Sequence, residues 1–469
     1  MKRLIFLLFA MIVQISWAQT VALKLANAVK KFEADAQVQH GIFSIYVADA
    51  KTGKPVYEHQ AQIGLAPAST QKLFTSIASF DLLGADYRYK TVIGYDGRIE
   101  NGVLHGNLHI NGYGDPTLGS WRWADTKEEI VFKKIIAALQ QHNITRITGH
   151  VLLNDSAFSV QPLPGGWIWD DIGNYYGAGS WAINWHENQY DLHLAPGKNE
   201  GDTTRIVKTI PELQGSVLSN YITTGKRGSG DNGFIYLPPY SRTGFTEGTV
   251  PMGNESFVIS GAFPNAPVQF AHELEQLLTK HHIAVTGRFK IYSTSKAHAA
   301  QWPAMQKELT TLLSPTMENI NFWFLRKSIN LYGEALIKTI AWEKSRSGST
   351  EKGVELVRNF WAANGINKGA INMIDGSGLS PQNRVTTHAE VKALLYAKNR
   401  PWFNSFYNAL PEYNGMKMKS GSIGGSRAFA GYHTAKDGKQ YVFSVIVNNY
   451  ERSAGDIVKK LYTVLDVLK

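Results

Sequence analysis

Ser69 and Lys72 stand three residues apart in "APASTQKLFTSIASF" (66–80), where a polar entry meets an apolar run. Residues three apart are neighbours on one face of a helix, so a hydroxyl and an amine would meet there. A serine hydroxyl is a weak nucleophile until a neighbouring base removes its proton. A lysine can be that base only when deprotonated, and an unperturbed lysine, with a pKa of about 10.4, is not. Burial and a second cation nearby are two ways of lowering it. The same pair equally suits the polar start of an ordinary helix, because serine and threonine favour that position. Alone it fits both.

Context separates the candidate from its decoys. Ser-x-x-Lys occurs three times, at Ser69/Lys72, Ser293/Lys296 and Ser349/Lys352. Ser293 ends a strand-like run with no apolar helix behind it, and Ser349 sits in a charged loop. At Ser69 a small-residue entry with Pro67 suits a first helical turn, and Leu73, Phe74, Ile77 and Ala78 drive the helix into a core. Lys-[Ser/Thr]-Gly occurs at Lys51-Thr52-Gly53 and Lys419-Ser420-Gly421. The first fills a hairpin turn, where glycine is expected for backbone reasons; the second follows "YNGMKMKSG", whose alternation suits a strand. Ser-x-Asn occurs once, at Ser328-Ile329-Asn330, beside a helical run.

Other chemistries find less support. With no cysteine there is no disulfide, thiol catalysis or cysteine metal site. Gly228 to Gly233 spells a dinucleotide fingerprint, but "FIYLPPY" follows it instead of a helix, so it reads as a loop. H-E-x-x-H, the G-x-S-x-G elbow and the P-loop are all absent from the sequence. The aromatic stretch from Trp167 to Trp185 reads as buried core before it reads as a platform for sugar rings. The net charge of +10 includes Lys2 and Arg3 of a leader-like start, leaving +8 without them. That balance suits either a solvated basic surface or anionic surroundings such as cell-wall polymer. The chain has no basic cluster of the kind that binds nucleic acid.

These residues need elements to hold them. Residues 1–18 have the basic start, short apolar stretch and small-residue end of a secretory signal, implying an exported, periplasmic protein. No later stretch is apolar enough to span a bilayer. The C-terminal amphipathic run suits a helix packed on a sheet better than a peripheral membrane contact. A chain of 469 residues implies two or three domains. Residues 41–60 read as a hairpin turning near Thr52-Gly53, helices are expected from about 306, and a second hairpin turns at Asp437-Gly438. Between 87 and 295 the texture changes to short strands and Gly-rich turns. That region contains an echo, "IIAALQQHNITRITGHVLL" (135–153) and "LEQLLTKHHIAVTGRFKIY" (274–292), each a helix, a link and a strand.

Serine penicillin-recognising enzymes carry S-x-x-K, S-x-N and K-[ST]-G in that chain order. Ser69/Lys72, Ser328/Asn330 and Lys419/Gly421 follow it, the second serine 259 positions after the first. With "YGDPTL" (113–118), "PGGWIWDD" (164–171) and "DGSGLS" (375–380), the chain resembles the class C low-molecular-mass penicillin-binding proteins, the D-alanyl-D-alanine carboxypeptidase/endopeptidase family. The resemblance spans nearly the whole mature chain, and Ser420 replaces the family's usual threonine. It implies an α+β penicillin-binding-protein/β-lactamase-like transpeptidase domain, an antiparallel sheet flanked by helices, over 19–86 and 296–469. A large β-rich insertion, 87–295, would form two smaller domains.

The resemblance further implies an acyl-enzyme on Ser69, with Lys72 as base and Ser328 relaying a proton to the leaving group. Asn330 would hold the penultimate amide, Lys419 and Ser420 the terminal carboxylate, and the N–H groups of Ser69 and Ser422, beyond Gly421, the oxyanion. The expected substrates are peptidoglycan stem peptides and cross-links, with β-lactams as inhibitors and no cofactor. Alternatives are a β-lactamase or serine esterase on the same fold, or a silent cell-wall-binding protein. In the family the insertion reads the stem's side chain, which makes Asp155, at a strand end, a candidate partner for a side-chain amine. Capping its own turn explains Asp155 equally well.

Overall fold

A computed structural model describes residues 21–253, 255–293 and 302–469. The leader pattern at 1–18 and Lys296 lie outside the described residues. The chain divides into two compact units: the residues up to Leu82 with Asn321–Ser328 and Val354–Lys469, and Leu83–Ile320 with Ile329–Gly353.

The first unit is built on a six-stranded antiparallel sheet in the order Pro55–His59, Ile42–Asp49, Gln440–Asn448, Ser426–Thr434, Met416–Ile423, Glu412–Tyr413. Both hairpins turn where glycine permits a left-handed backbone, at Gly53 (φ 70°) and Gly438 (φ 83°). Side chains alternate across a strand, and both faces of Ile42–Asp49 are covered. Phe43, Ile45 and Val47 join Leu25, Val29 and Phe32 of the helix over 21–33 and Ile457, Leu461 and Leu465 of the helix Ala454–Leu465. On the opposite face, Ser44 meets Thr387 at 2.7 Å, the first residue of the helix Thr387–Lys398. A sheet buried on both faces holds its central strands rigidly, which suits residues that must be placed to a fraction of an ångström.

Among its described residues the second unit is rich in short strands around two apolar cores, with a small third cluster at Ala157, Phe158 and Ala182. One gathers Phe132, Ile135 and Leu139 of Glu128–Gln141 with Phe270, Leu274 and Leu278 of Ala266–Lys280. The other gathers Trp181, Tyr190, Leu192, Leu194, Ile235, Val250 and Ile259. The echo in the sequence becomes a pairing: Ala284 lies beside Arg146 and Phe289 beside Val151, both in parallel. The two halves therefore meet at a constant offset of 138 residues. That offset extends to Asp155 and Ser293, whose contacts span the same separation.

One expectation, that of helix from about 306, needs correction. Residues 307–313 were expected within a helical region but form a strand, Lys307–Leu313, paired antiparallel with Lys90–Tyr95. A Thr-Thr pair in "KELTTLL" disfavours helix, and the sheet edge offered backbone partners. The helix Asn330–Ser345, expected in the peptidase domain, is grouped with the second unit, as is 302–320. Asp155, a candidate reader of substrate, is 3% exposed. Its carboxylate accepts from Ser293 N (2.9 Å) and Ser293 Oγ (2.5 Å), so it ties the two echo strands together. The same bond engages the hydroxyl of the Ser293 decoy. Among the described residues no helix is long and apolar enough to cross a membrane.

Burial pushes the Asp155 carboxyl above its ordinary value of 3.8, so the folded protein keeps that proton to higher pH than the unfolded chain. Ionisation of this group therefore removes stability as pH rises past that value. Asp155→Ala would leave Ser293 N unsatisfied and should cost about 1–3 kcal/mol. Asp155→Asn keeps an acceptor, sheds the penalised charge, and should cost less at neutral pH. Thermal unfolding of both variants measures this; equal midpoints for Asp155→Ala and the parent would refute the tie.

Candidate active site

The residues around Ser69 are placed by backbone before side chains. Ala68–Gln71 forms a 3-10 turn that leads into the helix Lys72–Leu83. In a 3-10 turn residues three apart eclipse one another, which brings Lys72 Nζ to 2.9 Å from Ser69 Oγ. The turn is seated by Leu73, Phe74 and Ile77, all fully buried, and Phe74 packs edge-on against Trp361. Its entrance is fastened to the sheet: Ala66 N donates to Asn448 Oδ1 (2.8 Å), and Ser426 Oγ and Asn448 Nδ2 donate to Ala66 O.

Ala68 has a φ of 49°, a left-handed conformation that costs a side-chain-bearing residue energy. Two glycines enclose that strained turn. A Cβ on Gly421 would stand 2.3 Å from Pro67 O and 3.1 Å from Ser69 N, and a Cβ on Gly378 would stand 2.0 Å from Ala68 O. Only glycine lets both segments approach so closely. The Lys419-Ser420-Gly421 strand, Met416–Ile423, thereby runs directly against the Ser69 turn, with Ser422 exposed just beyond it.

The electrostatics follow from burial. Lys72 is fully buried, donates to Ser377 O at 2.6 Å as well as to Ser69, and lies 5.9 Å from the Phe324 ring centre. Lys419 is 1% exposed and donates to Ser420 O at 2.7 Å. Burial first, and the charge of Lys72 second, hold the Lys419 ammonium well below the ordinary lysine range. Two amines confined together in a poorly solvated space disfavour a second proton.

The sequence reading underrated the loop 375–383. Asp375 organises it, accepting from Gly378 N (2.7 Å), Ser380 N (2.7 Å), Asn383 Nδ2 (3.0 Å) and Gln71 Nε2 (2.8 Å). Thr75 Oγ1 donates to Gly376 O at 2.7 Å. The loop is thus fixed to the same helix that carries Lys72, and it presents the Ser377 carbonyl to the amine. The signal for it was an aspartate preceding two glycines in the "DGSGLS" stretch.

Ser69, Lys72, Lys419, Ser420, Gly421 and Ser422 share the first unit. Ser328 ends the short segment Asn321–Ser328 of that unit, in a left-handed conformation (φ 59°). The segment is anchored by Ser76 Oγ donating to Asn321 Oδ1 at 2.6 Å. Asn330 belongs to the second unit, opening the helix Asn330–Ser345, and its Nδ2 donates to Tyr176 O at 2.8 Å. The decoys have structural duties: Thr52 N donates to Asp49 Oδ1 in the first hairpin, and Ser349 Oγ accepts from Lys352 N at the start of the helix Thr350–Ala363. The polar turn at Gly228 and Gly230 is followed by the strand Asn232–Tyr236, not a helix. Of the aromatic stretch, Trp181 and Trp185 are buried, while Trp169 and Tyr175 are about half exposed.

Comparison with known proteins bears on the family and the fold. The chain is 24% identical over 425 residues to D-alanyl-D-alanine carboxypeptidase DacB of Haemophilus influenzae, covering 86% of this chain and 84% of that one. It is also 24% identical over 447 residues to a D-alanyl-D-alanine carboxypeptidase of an Actinomadura species, covering 90% and 80%. The crystal structure of penicillin binding protein 4 (dacB) from Haemophilus influenzae superposes with a TM-score of 0.78 at 21% identity, over 92% of this chain and 98% of that one. The shared fold is the penicillin-binding one. Residues 25–412 match the family described as D-Ala-D-Ala carboxypeptidase 3 (S13), a span that includes the Ser69–Lys72 turn and the Ser328–Asn330 segment. The chain belongs to that family of serine peptidases.

Proposed function

We propose that this D-Ala-D-Ala carboxypeptidase works through Ser69 as acyl-accepting nucleophile and Lys72 as its general base. The supporting observation is the 2.9 Å contact between Lys72 Nζ and Ser69 Oγ in a turn closed by Gly421. Neutral Lys72 takes the Ser69 proton as Oγ attacks the carbonyl of the penultimate D-Ala. The N–H groups of Ser69 and Ser422 stabilise the oxyanion, and Ser328 relays that proton from Lys72 to the departing terminal D-Ala. Water then hydrolyses the ester, and Lys72 again handles the proton. Asn330 holds the penultimate amide of the stem peptide.

Lys419 and Ser420 bind the free terminal carboxylate, the feature that marks an exopeptidase substrate. A buried cation held below its ordinary pKa gains most when a carboxylate arrives, because the new charge partner offsets the burial. β-Lactams acylate the same serine, and D-amino-acid cross-links whose leaving amine belongs to a second stem follow the same steps as an endopeptidase reaction. No step calls for a metal or an organic cofactor. Action in the periplasm is supported by the leader pattern at 1–18 and by the cell-wall substrate.

Incubation with purified muropeptides and mass analysis of the products tests the activity: loss of terminal D-Ala is expected, and unchanged stems would overturn it. Labelling with a fluorescent penicillin and peptide mapping should place the adduct on Ser69, and Ser69→Ala should abolish it. Persistent labelling of that variant would remove Ser69 from its role.

Lys72→Ala and Lys419→Ala should fail differently. The first removes the base and should nearly stop acylation by every substrate, a loss of about 10²–10⁴-fold. The second should hurt a D-Ala-D-Ala peptide with a free carboxylate far more than its C-terminal amide. Equal losses on both would contradict the carboxylate role. Gly421→Ala drives a methyl into Pro67 O and should slow penicillin acylation by about a hundredfold, the penalty typical of an ångström-scale misplacement. Stopped-flow acylation rates measure it, and a parent-like rate would show that the strand yields.

A further inference from the structure

Lys338 is a lysine with no exposed surface, eight residues into the helix that begins at Asn330. At about 1.5 Å per residue the two side chains leave the helix about 12 Å apart. Both reach the same segment of chain. Lys338 Nζ donates to Gln161 O (2.8 Å), Ser180 O (2.9 Å) and, more loosely, Pro162 O (3.4 Å). Asn330 Nδ2 donates to Tyr176 O. Ser180 N also donates to Pro162 O at 3.0 Å, which closes the loop 162–180 at its base.

The loop is stiff between these anchors. Asn174 Nδ2 donates to Asp170 O (2.7 Å) and its Oδ1 accepts from Ile235 N (3.1 Å). A Cβ on Gly177 would stand 1.9 Å from Asp171 O, so the two sides of the turn are in contact. Beyond the helix end, Ser159 N donates to Gly348 O at 2.9 Å. An ammonium out of water is costly unless hydrogen-bonded. Here it gathers the carbonyls of both feet of one loop, and that loop's far side holds the amide of Asn330. The face of the Phe158 ring lies 5.7 Å from the same ammonium.

We infer that Lys338 is a positioning residue for Asn330: by clamping the feet of the loop 162–180 it fixes Tyr176 O, which orients the Asn330 side-chain amide. This rests on the reading of Asn330 as the group that holds the substrate's penultimate amide. A lysine that merely stabilised the second unit would be indifferent to which substrate is offered, whereas one acting through Asn330 is not.

The test is a double-mutant cycle in the full-length protein with Asn330→Ala, Lys338→Met and the pair. Each is assayed on an acylated D-Ala-D-Ala peptide and on an analogue lacking the penultimate acylamido group. Lys338→Met should lower kcat/KM on the peptide by about tenfold, the scale of one charge-assisted hydrogen bond, and barely affect the analogue. The pair should be no worse than Asn330→Ala alone. Equal losses on both substrates, or additive losses in the pair, would overturn the inference and leave Lys338 a purely structural residue. Selective loss in Asn330→Ala with none in Lys338→Met would overturn it while sparing the reading of Asn330. An unselective Asn330→Ala would remove that reading and this inference with it. Should Lys338→Met fail to fold, Lys338→Arg keeps the cation but displaces its donors; the same substrate selectivity is expected of it, and a parent-like profile would overturn the inference.

Discussion

The site depends on a steric constraint, the room that two glycines leave around Ala68. Gly421 and Gly378 let two separate segments press on the carbonyls of Pro67 and Ala68. Between them Ala68 is kept in a left-handed conformation that it would not adopt on its own. The turn that follows is 3-10 instead of α, and this aligns Ser69 with Lys72. Backbone packing thus comes first and the hydroxyl–amine contact follows from it. A side chain at either glycine would press first on those carbonyls.

Around that turn the structure places two amines where water is scarce. Lys72 and Lys419 are both buried, and each receives carbonyl oxygens in place of solvent. Carbonyl dipoles satisfy the N–H groups without adding a full negative charge, so they do not fix the protonation state as a carboxylate would. Asp375 supplies a carboxylate nearby but spends it on backbone and amide donors, within its own loop and at Gln71.

Much of this was legible in the sequence because it is local. Both glycine hairpins, the apolar helix behind Ser69 and the strand carrying Lys419 follow from patterns a few residues long. Chain order, supplied by resemblance, singled out the candidate motifs among others of identical composition. What local pattern could not supply was partnership. Lys307–Leu313 became a strand because an edge of the sheet was there to receive it. Asp155 reads locally as a strand-end residue that could meet substrate or cap its own turn, and its partner 138 positions away lies beyond any local pattern. The helix from Asn330 carried a peptidase motif, yet its polar side chains at Asn330, Tyr332 and Lys338 all bond within the second unit. Lys338 itself gave no signal, since a lone lysine in a helix is ordinarily solvated.

The constant offset between the two echo strands bears on how the chain acquires its shape. Strands Arg146–Ile147 and Val151–Asn154 each find a parallel neighbour in residues 284–291. Until those residues are available, the earlier strands present open edges, and such edges are templates for pairing with the wrong chain. Contacts so distant in sequence are slow to form because a long loop must close first. During vectorial synthesis the early half must wait through more than a hundred residues for its complement. A chaperone that shields apolar strands would have its greatest effect in that interval, before residues 284–291 arrive to cover those two edges.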